Sequence, residues 1–371
     1  METIVVAGAL AAKPGNGGEA WVRLSWVLGL RRLGYDAWLL EEADPGTARD
    51  GRRFFRAEAE RHGLGERAVL LGDEEEPLGR DAVEDLARSA VALVDISGNL
   101  REPGLRERFR RRAYVDLDPG FTQIWHSQGL LGDQLDGYDR HFTVGLNLGG
   151  EGCSVPLGGI EWVPLPPPVL LDRWRPDPDP GSGRFTTVAT WRNPLGRLEA
   201  DGRAFTLKHH QLRRFAALPG KVEASLEIAL GIHPDEAAEA ERLREAGWAV
   251  VDPAAVAGDS ESYREYVRGS AAELSVTQGV YAEALTGWIS DRSAHYLAAG
   301  RPAVVQETGS PPAYRDGGGL LTFADLDGAA AAVDAVLADY EGQRAAARRL
   351  AERCFDSDLV LGRMLEELGA A

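Results

Sequence analysis

The chain has 371 residues, 44% of them hydrophobic and 27% charged, with a formal net charge of -17; it is a folded protein too long for one ordinary core. So acidic a balance argues against a nucleic-acid or anionic-membrane partner, because phosphate contacts need a clustered basic surface. Cys153 and Cys354, far apart and outside any CxxC or Cys/His spacing, give no sign of a disulfide framework or a zinc site and suit a reducing cytoplasm.

The N-terminus carries Glu2 where a secretory signal would be basic, and no apolar run approaches the length of a membrane span. Thr3 to Ala7 reads as a buried strand, the Gly-rich stretch to Gly18 as a loop, and the segment with Trp21, Leu24, Leu28 and Leu30 as a helix leading to a strand at Ala37 to Leu40. That is a βαβ unit, but its loop is neither GxGxxG nor a Walker GK[ST]. Further strands are expected at Ala68 to Leu71, Val91 to Ile96, Ala113 to Leu117 and His141 to Val144. Charged amphipathic helices such as Arg80 to Arg88 and Leu105 to Arg111 separate them. The basic run Arg106 to Arg112 reads as a solvated helix face.

Seven prolines between Pro164 and Pro180, at 164, 166, 167, 168, 176, 178 and 180, cannot sit in helices or central strands and mark a linker. A second α/β series follows: Phe185 to Ala189, Ala224 to Ala229, a helix from Pro234 to Ala246, Trp248 to Val251, a helix from Ser260 to Gly269, and Glu273 to Val276. "SDRSAHYLAAGRPAVVQETGS" then gives a helix capped by Ser290 or Asp291, a stop at Gly300 and Pro302, a buried strand Ala303 to Val305, and a polar loop ending at Gly309. Leu326 to Leu368 is an Ala/Arg/Glu-rich helical tail. The fold class is α/β with two Rossmann-like doubly wound domains. They are divided as an N-terminal domain of residues 1–165, a C-terminal domain of 166–345, and a helix at 346–371 that could cross back.

Two such halves, a proline-rich linker, and "DRSAHYLAAGRPAVVQETG" together resemble the GT-B fold glycosyltransferases. The segments "TTVATWRN", "KHH" and "DLDPGFTQIWHSQG" are similar to a bacterial branch of that superfamily. The resemblance implies an N-terminal acceptor-binding domain, a C-terminal domain that holds a nucleotide diphosphate-sugar as co-substrate, and metal-independent transfer to a small molecule, natural products included. No separate cofactor is expected, and a homodimer is allowed; the acidic charge and the lack of an anchoring or membrane-docking feature predict no nucleic-acid partner and no stable membrane insertion.

A helix N-terminus suits a diphosphate on physical grounds, and Ser290, Asp291, Arg292 and Ser293 form that first turn. Simple capping, with Arg292 in water, is the competing reading. Glu307 and Gly309 follow the carboxyl end of a strand, where open α/β sheets bind ligands. Arg192, Lys208 and His210 supply positive charge or donors for a leaving diphosphate, whereas His209 reads as a packed ring. In the first half, Asn16 would cap the helix and Gly17 and Gly18 would let an acceptor approach, or merely make the turn. "DLDPGFTQIWH" gathers Asp116, Asp118, Thr122, Gln123 and His126 at a strand's end. Its Asp118, Asp116 or His126 is the expected base, and Thr122 and Gln123 are expected to touch the acceptor. The first loop has no histidine, unlike many inverting members, and this leaves inversion against retention open. Rival readings are a nucleotide-sugar 2-epimerase-like enzyme, a non-catalytic nucleotide or sugar binder, and an oxidoreductase, the last weakened by the missing GxGxxG.

Overall fold

The computed structural model describes residues 1–43, 49–72, 78–177 and 183–370. Seven parallel strands form the first sheet: β1 (Thr3–Ala7), β2 (Asp36–Glu42), β3 (Ala68–Leu71), β4 (Ala92–Ile96), β5 (Arg112–Asp116), β6 (Arg140–Thr143) and β7 (Trp162–Pro164), in the order 3-2-1-4-5-6-7. The second half contributes β8 (Arg184–Thr190), a small antiparallel hairpin of β9 (Glu199–Ala200) and β10 (Arg203–Ala204), β11 (Ser225–Gly231), β12 (Ala249–Val251), β13 (Ala272–Ser275), β14 (Ala303–Gln306) and β15 (Leu320–Phe323). Its six-stranded sheet runs 12-11-8-13-14-15, the same crossover pattern about its own first strand. Both sheets are parallel throughout and covered by helices, which is why their strands read as continuous apolar runs.

Four strands escape the sequence reading. The edge strands β7 and β15 are short, and β7 ends on a proline, which an edge tolerates. The β9–β10 hairpin is two residues per strand. The tail is three helices, Leu326–Ala338, Tyr340–Cys354 and Ser357–Leu368, broken at Asp339 and Asp356, whose carboxylates cap the helices that follow. The basic run is not a helix face: helix covers only Pro103–Arg106. Arg108 pairs with Glu84, Arg111 donates to the Leu368 carbonyl and Arg112 lies 3.8 Å from Asp139. Of the linker prolines, Pro178 and Pro180 lie outside the described residues.

The helix Gly17–Arg32 explains its own mixed spacing. It is buried on several faces because it meets the first sheet, the second domain and the chain's end together. Trp21 donates to the Ser260 carbonyl at 2.7 Å, and a Cβ on Gly29 would overlap Leu361. Arg32 pairs with Asp358, and Tyr35 donates to the Ala370 carbonyl at 3.3 Å. The helix Ser357–Leu368 therefore lies against the first domain. An aromatic chain runs from Trp21 through Trp174 to His295 and Tyr263, with the Trp174 and His295 rings stacked at 4.4 Å. Burial lowers the His295 pKa to about 3, so this ring is a neutral core group.

Candidate active site

The seam between the domains is built from loops at the carboxyl ends of both sheets. On the first side β5 delivers Asp116 into a buried cluster, where its carboxylate accepts from the Thr122 hydroxyl at 2.6 Å, Gln123 Nε2 at 2.8 Å, the Thr143 hydroxyl at 2.7 Å and the Asp118 amide at 3.0 Å. Gln123 Oε1 in turn accepts from the Gly120 amide at 2.6 Å. This corrects the expected roles of three residues: Asp116 is saturated, and Thr122 and Gln123 are spent holding it. Their work is to fix the loop that presents Asp118.

Asp118 is only partly buried, and Oδ1 accepts from the hydroxyl of Tyr281, a residue of the second domain, at 3.0 Å. Burial, and then the negative Asp116, lift its carboxyl to about 6. His126 sits beside Gly158 on the same helix as Thr122, with no hydrogen bond to Asp118 among the described residues.

On the second side, Ser290 caps the helix Asp291–Ala298 by accepting from the Arg292 amide at 3.1 Å. The Arg292 side chain does not reach outward. Nε meets Glu273 at 2.6 Å, Nη1 the Val188 carbonyl at 2.8 Å and Nη2 the Ser275 hydroxyl at 2.5 Å, all at the ends of β8 and β13. Ser293 is buried beside it, and Arg292 itself is partly buried. The expectation of an Arg292 side chain in water is corrected: its guanidinium joins two strands to the helix, with a protein partner on each of its three nitrogens.

Lys208 opens the helix Lys208–Arg214 directly after the loop that follows β8. It is half-buried and has no hydrogen bond or ion pair among the described residues. Burial, together with the Arg292 charge, brings its ammonium down to about 7. At and just beyond β13 two buried polar atoms have no partner among the described residues: Glu273 Oε2, beside Arg292, and Thr277 Oγ1, whose backbone amide is held by Gln306 Oε1 at 3.1 Å. Gln306 reaches Gln211, on the Lys208 helix, at 3.1 Å. A half-buried charge without a protein partner among the described residues makes Lys208 a candidate ligand contact.

Of the other expected donor contacts, Arg192 and Glu307 are occupied elsewhere. Arg192 is exposed and bidentate to Glu236 at 2.8 Å through both nitrogens. His210 is exposed and lies 4.2 Å from the buried His209 ring, which packs near Trp191. Glu307 folds onto its own loop, accepting from the Thr308 and Gly309 amides at 3.0 and 2.7 Å and pairing with Arg315. Gly309, at φ +78°, leaves room for Leu285, which a Cβ would meet at 2.8 Å.

The first loop is corrected too. Asn16 caps its helix through the Glu19 amide at 3.1 Å. A Cβ on Gly17 would overlap the Asp259 carbonyl, and one on Gly18 would meet Tyr263 at 3.3 Å, so these glycines admit the second domain, not an acceptor. The amides of Leu10, Ala11 and Ala12 converge at 2.6 to 2.9 Å on the buried carboxylate of Glu41 from the end of β2. The sheet's own acid thus fills this anion-binding nest.

Five participants were not read from the sequence: Lys13, Glu19, Arg23, Glu41 and Tyr281. Glu19 sits between Lys13, at 2.9 Å, and the buried Arg23. Burial opposes its charge, but Arg23 and Lys13 hold its carboxyl down to about 2. Its charge reaches both Asp118 and Asp291, and Asp291, raised to about 6 chiefly by burial and then by Glu19, adjoins Arg292. Asp291 also lines a seam cavity of ≈ 20 Å³ with Trp26, Leu117, Val144 and Trp288, room for about one water. A chain of coupled charges therefore runs from Lys208 through Arg292 and Asp291 to Glu19, Lys13 and Asp118. Among the described residues no group of three or more His, Cys, Asp or Glu is placed to hold a metal ion, and no helix is long and apolar enough to cross a membrane.

No protein-family model matches the sequence, and no curated protein matches it. Solved structures do match along the whole chain. Anabaena HepE in complex with UDP-glucose aligns with a TM-score of 0.61 at 12% identity over 100% of both chains. An α-glucosyltransferase in complex with UDP and a 13-mer DNA aligns at 0.60 and 12% over 99% of both. Sucrose-phosphate synthase from Thermosynechococcus elongatus aligns at 0.58 and 12% over 100% of both. The chain has the GT-B fold. In a GT-B frame the Lys208–Arg292 edge belongs to the second sheet and the Asp116–Asp118 loop to the first, and the two meet at the domain seam.

Proposed function

We propose that the chain is a glycosyltransferase that moves a sugar from a nucleotide diphosphate donor to a hydroxyl of a small-molecule acceptor, without a metal ion. The observation that carries this reading is Lys208: a half-buried ammonium beside the partly buried Arg292, with no protein anion on it among the described residues, at the carboxyl edge of the second sheet. A diphosphate would supply the missing negative charge. Arg292, fixed by Glu273, Val188 and Ser275, adds a field that needs no reorganisation when charge develops on the leaving group.

In the reaction the acceptor proton passes to the Asp118 carboxylate and an acceptor oxygen lone pair forms the new bond to the anomeric carbon. The donor C–O bond breaks with its electron pair on the diphosphate oxygen, which Lys208 offsets. A carboxyl at about 6 is ionised at neutral pH yet basic enough to take that proton. The HepE and α-glucosyltransferase structures that share the fold hold UDP-glucose and UDP respectively, so uridine donors are the first to test.

Calorimetric titration with UDP and UDP-glucose, followed by UDP release in the presence of a panel of hydroxylated small molecules, tests the proposal. Saturable binding of both, with acceptor-dependent release, is the expected result. Binding without release for any acceptor would leave a nucleotide-sugar binder, and the absence of binding by any nucleotide would remove the donor site.

A further inference from the structure

The contact between Asp118 and Tyr281 joins a loop at the end of β5 to the short helix Gly279–Glu283 of the other domain. Asp118 Oδ1 accepts the phenol proton at 3.0 Å. Its other oxygen has no hydrogen bond among the described residues and is not sealed from solvent. Tyr281 cannot easily turn away. Its ring stacks on Trp288 at 4.6 Å, meets Phe121 edge-on at 6.2 Å, and is 3% exposed within an apolar cluster that both domains supply.

Neighbouring contacts hold the same junction. The Asn147 amide donates to the Thr286 carbonyl at 3.0 Å, Asn147 Nδ2 donates to the Leu285 carbonyl at 2.8 Å, and a Cβ on Gly120 would meet Val280 at 2.7 Å. The hydroxyl is therefore delivered to Asp118 only while the domains are docked.

We propose that Tyr281 is a positioning residue for Asp118, holding one carboxylate oxygen from the opposite domain and leaving the other for the acceptor hydroxyl, so that a competent base exists only in the closed protein. The assignment of Asp118 as base rests on the glycosyl-transfer reading; the hold of Tyr281 on its carboxylate does not. The acceptor proton would go to the free oxygen while the Tyr281 O–H stays on Oδ1, so Tyr281 gains and loses no proton in the step. The other charged groups facing Asp118 are Asp116 on its own loop and Lys13 and Glu19 on the first loop and helix. Of the four, Tyr281 and Lys13 favour the ionised carboxylate, while Asp116 and Glu19 oppose it.

The test compares wild type with Tyr281→Phe, which keeps the ring on Trp288, and uses Asp118→Asn to assign the signal. The first readout is the carboxyl-carbon NMR titration of Asp118, which needs no turnover. The midpoint should rise in Tyr281→Phe by at least about half a pH unit, because a donor to the charged form has gone. An unchanged midpoint in a variant of wild-type melting temperature overturns the proposal.

The second readout is the rate of UDP release from UDP-glucose across pH. Tyr281→Phe should lower kcat about tenfold with KM for UDP-glucose within about twofold, and should move the acid limb upward by the same interval as the titration. Equal kcat and an unmoved limb overturn it. Wild type that releases no UDP would defeat the transfer reading alone, and the Asp118 titration would still decide what Tyr281 does.

Discussion

The first βα connection of each sheet occupies the same topological place, and the two have opposite electrostatics. After β1 the chain turns through residues 8–16, and the amides of Leu10, Ala11 and Ala12 are taken by Glu41 of the neighbouring strand. After β8 it runs through the hairpin loop to Lys208, whose ammonium has no carboxylate among the described residues. One connection neutralises itself and becomes a docking surface for the helix Ser260–Arg268; the other keeps an unanswered positive charge. The position a Rossmann-type sheet offers to an anion is thus an option, used or closed by what the adjacent strands carry.

Arg292→Ala should break the comparison most severely. It strands Glu273, whose side chain is fully buried, and the expected loss is about 3–5 kcal/mol of folding stability in urea denaturation. That variant therefore cannot separate donor binding from stability. A stability loss near zero would show that the guanidinium points to solvent or ligand instead.

Lys208→Met sharpens the contrast, since it keeps the stem and removes the charge. UDP affinity by calorimetry should fall about 100-fold, with melting temperature unchanged or higher. A variant that binds UDP as wild type does would end the donor-site assignment. Next in size, Glu41→Ala empties the nest of the first loop and should cost about 1–3 kcal/mol. Added formate should recover part of the melting temperature in this variant and none in wild type; equal responses would mean that the nest does not form an anion site.

The smallest effect is on pH dependence. The Lys208 ammonium titrates near 7 in the free protein, well below its unfolded value of 10.5. The unfolded chain thus holds more protons between about 7 and 10.5, so this group makes stability rise with pH across that window. UDP pairing favours the charged form, so affinity should be full below about pH 7 and fall up to about tenfold per unit above it. Calorimetry in buffers of different ionisation enthalpy should show proton uptake near pH 8. No uptake would place the diphosphate away from Lys208.

Much of the architecture was legible because parallel strands buried on both faces must be short, apolar and β-branched. An alternating apolar and polar pattern is not needed to see Val5-Val6, Leu39-Leu40 or Val304-Val305 as strands. Edge strands such as β7 and β15 carry weaker signals because one side needs no pairing. The loop of Asp118 and the helix end at Ser290 were legible as places, since polar residues at strand ends collect there whatever their task. Their individual roles were not: Asp116 and Arg292 look outward in sequence and are internal hubs in the fold, bonded to Thr122, Gln123 and Thr143 and to Glu273, Val188 and Ser275.

By itself the sequence determined two parallel α/β units, the acidic surface and the segments from which a site could be made. Those properties follow from local periodicity and composition. Only the tertiary structure decided which charges are answered, because a side chain's partner lies far away along the chain: Glu41 on the amide of Leu10, Glu273 on Arg292, and Tyr281 on Asp118 across the seam. Burial then sets what a group can do: it brings the Lys208 ammonium down to about 7 in the second domain and raises the Asp118 carboxyl to about 6 in the first.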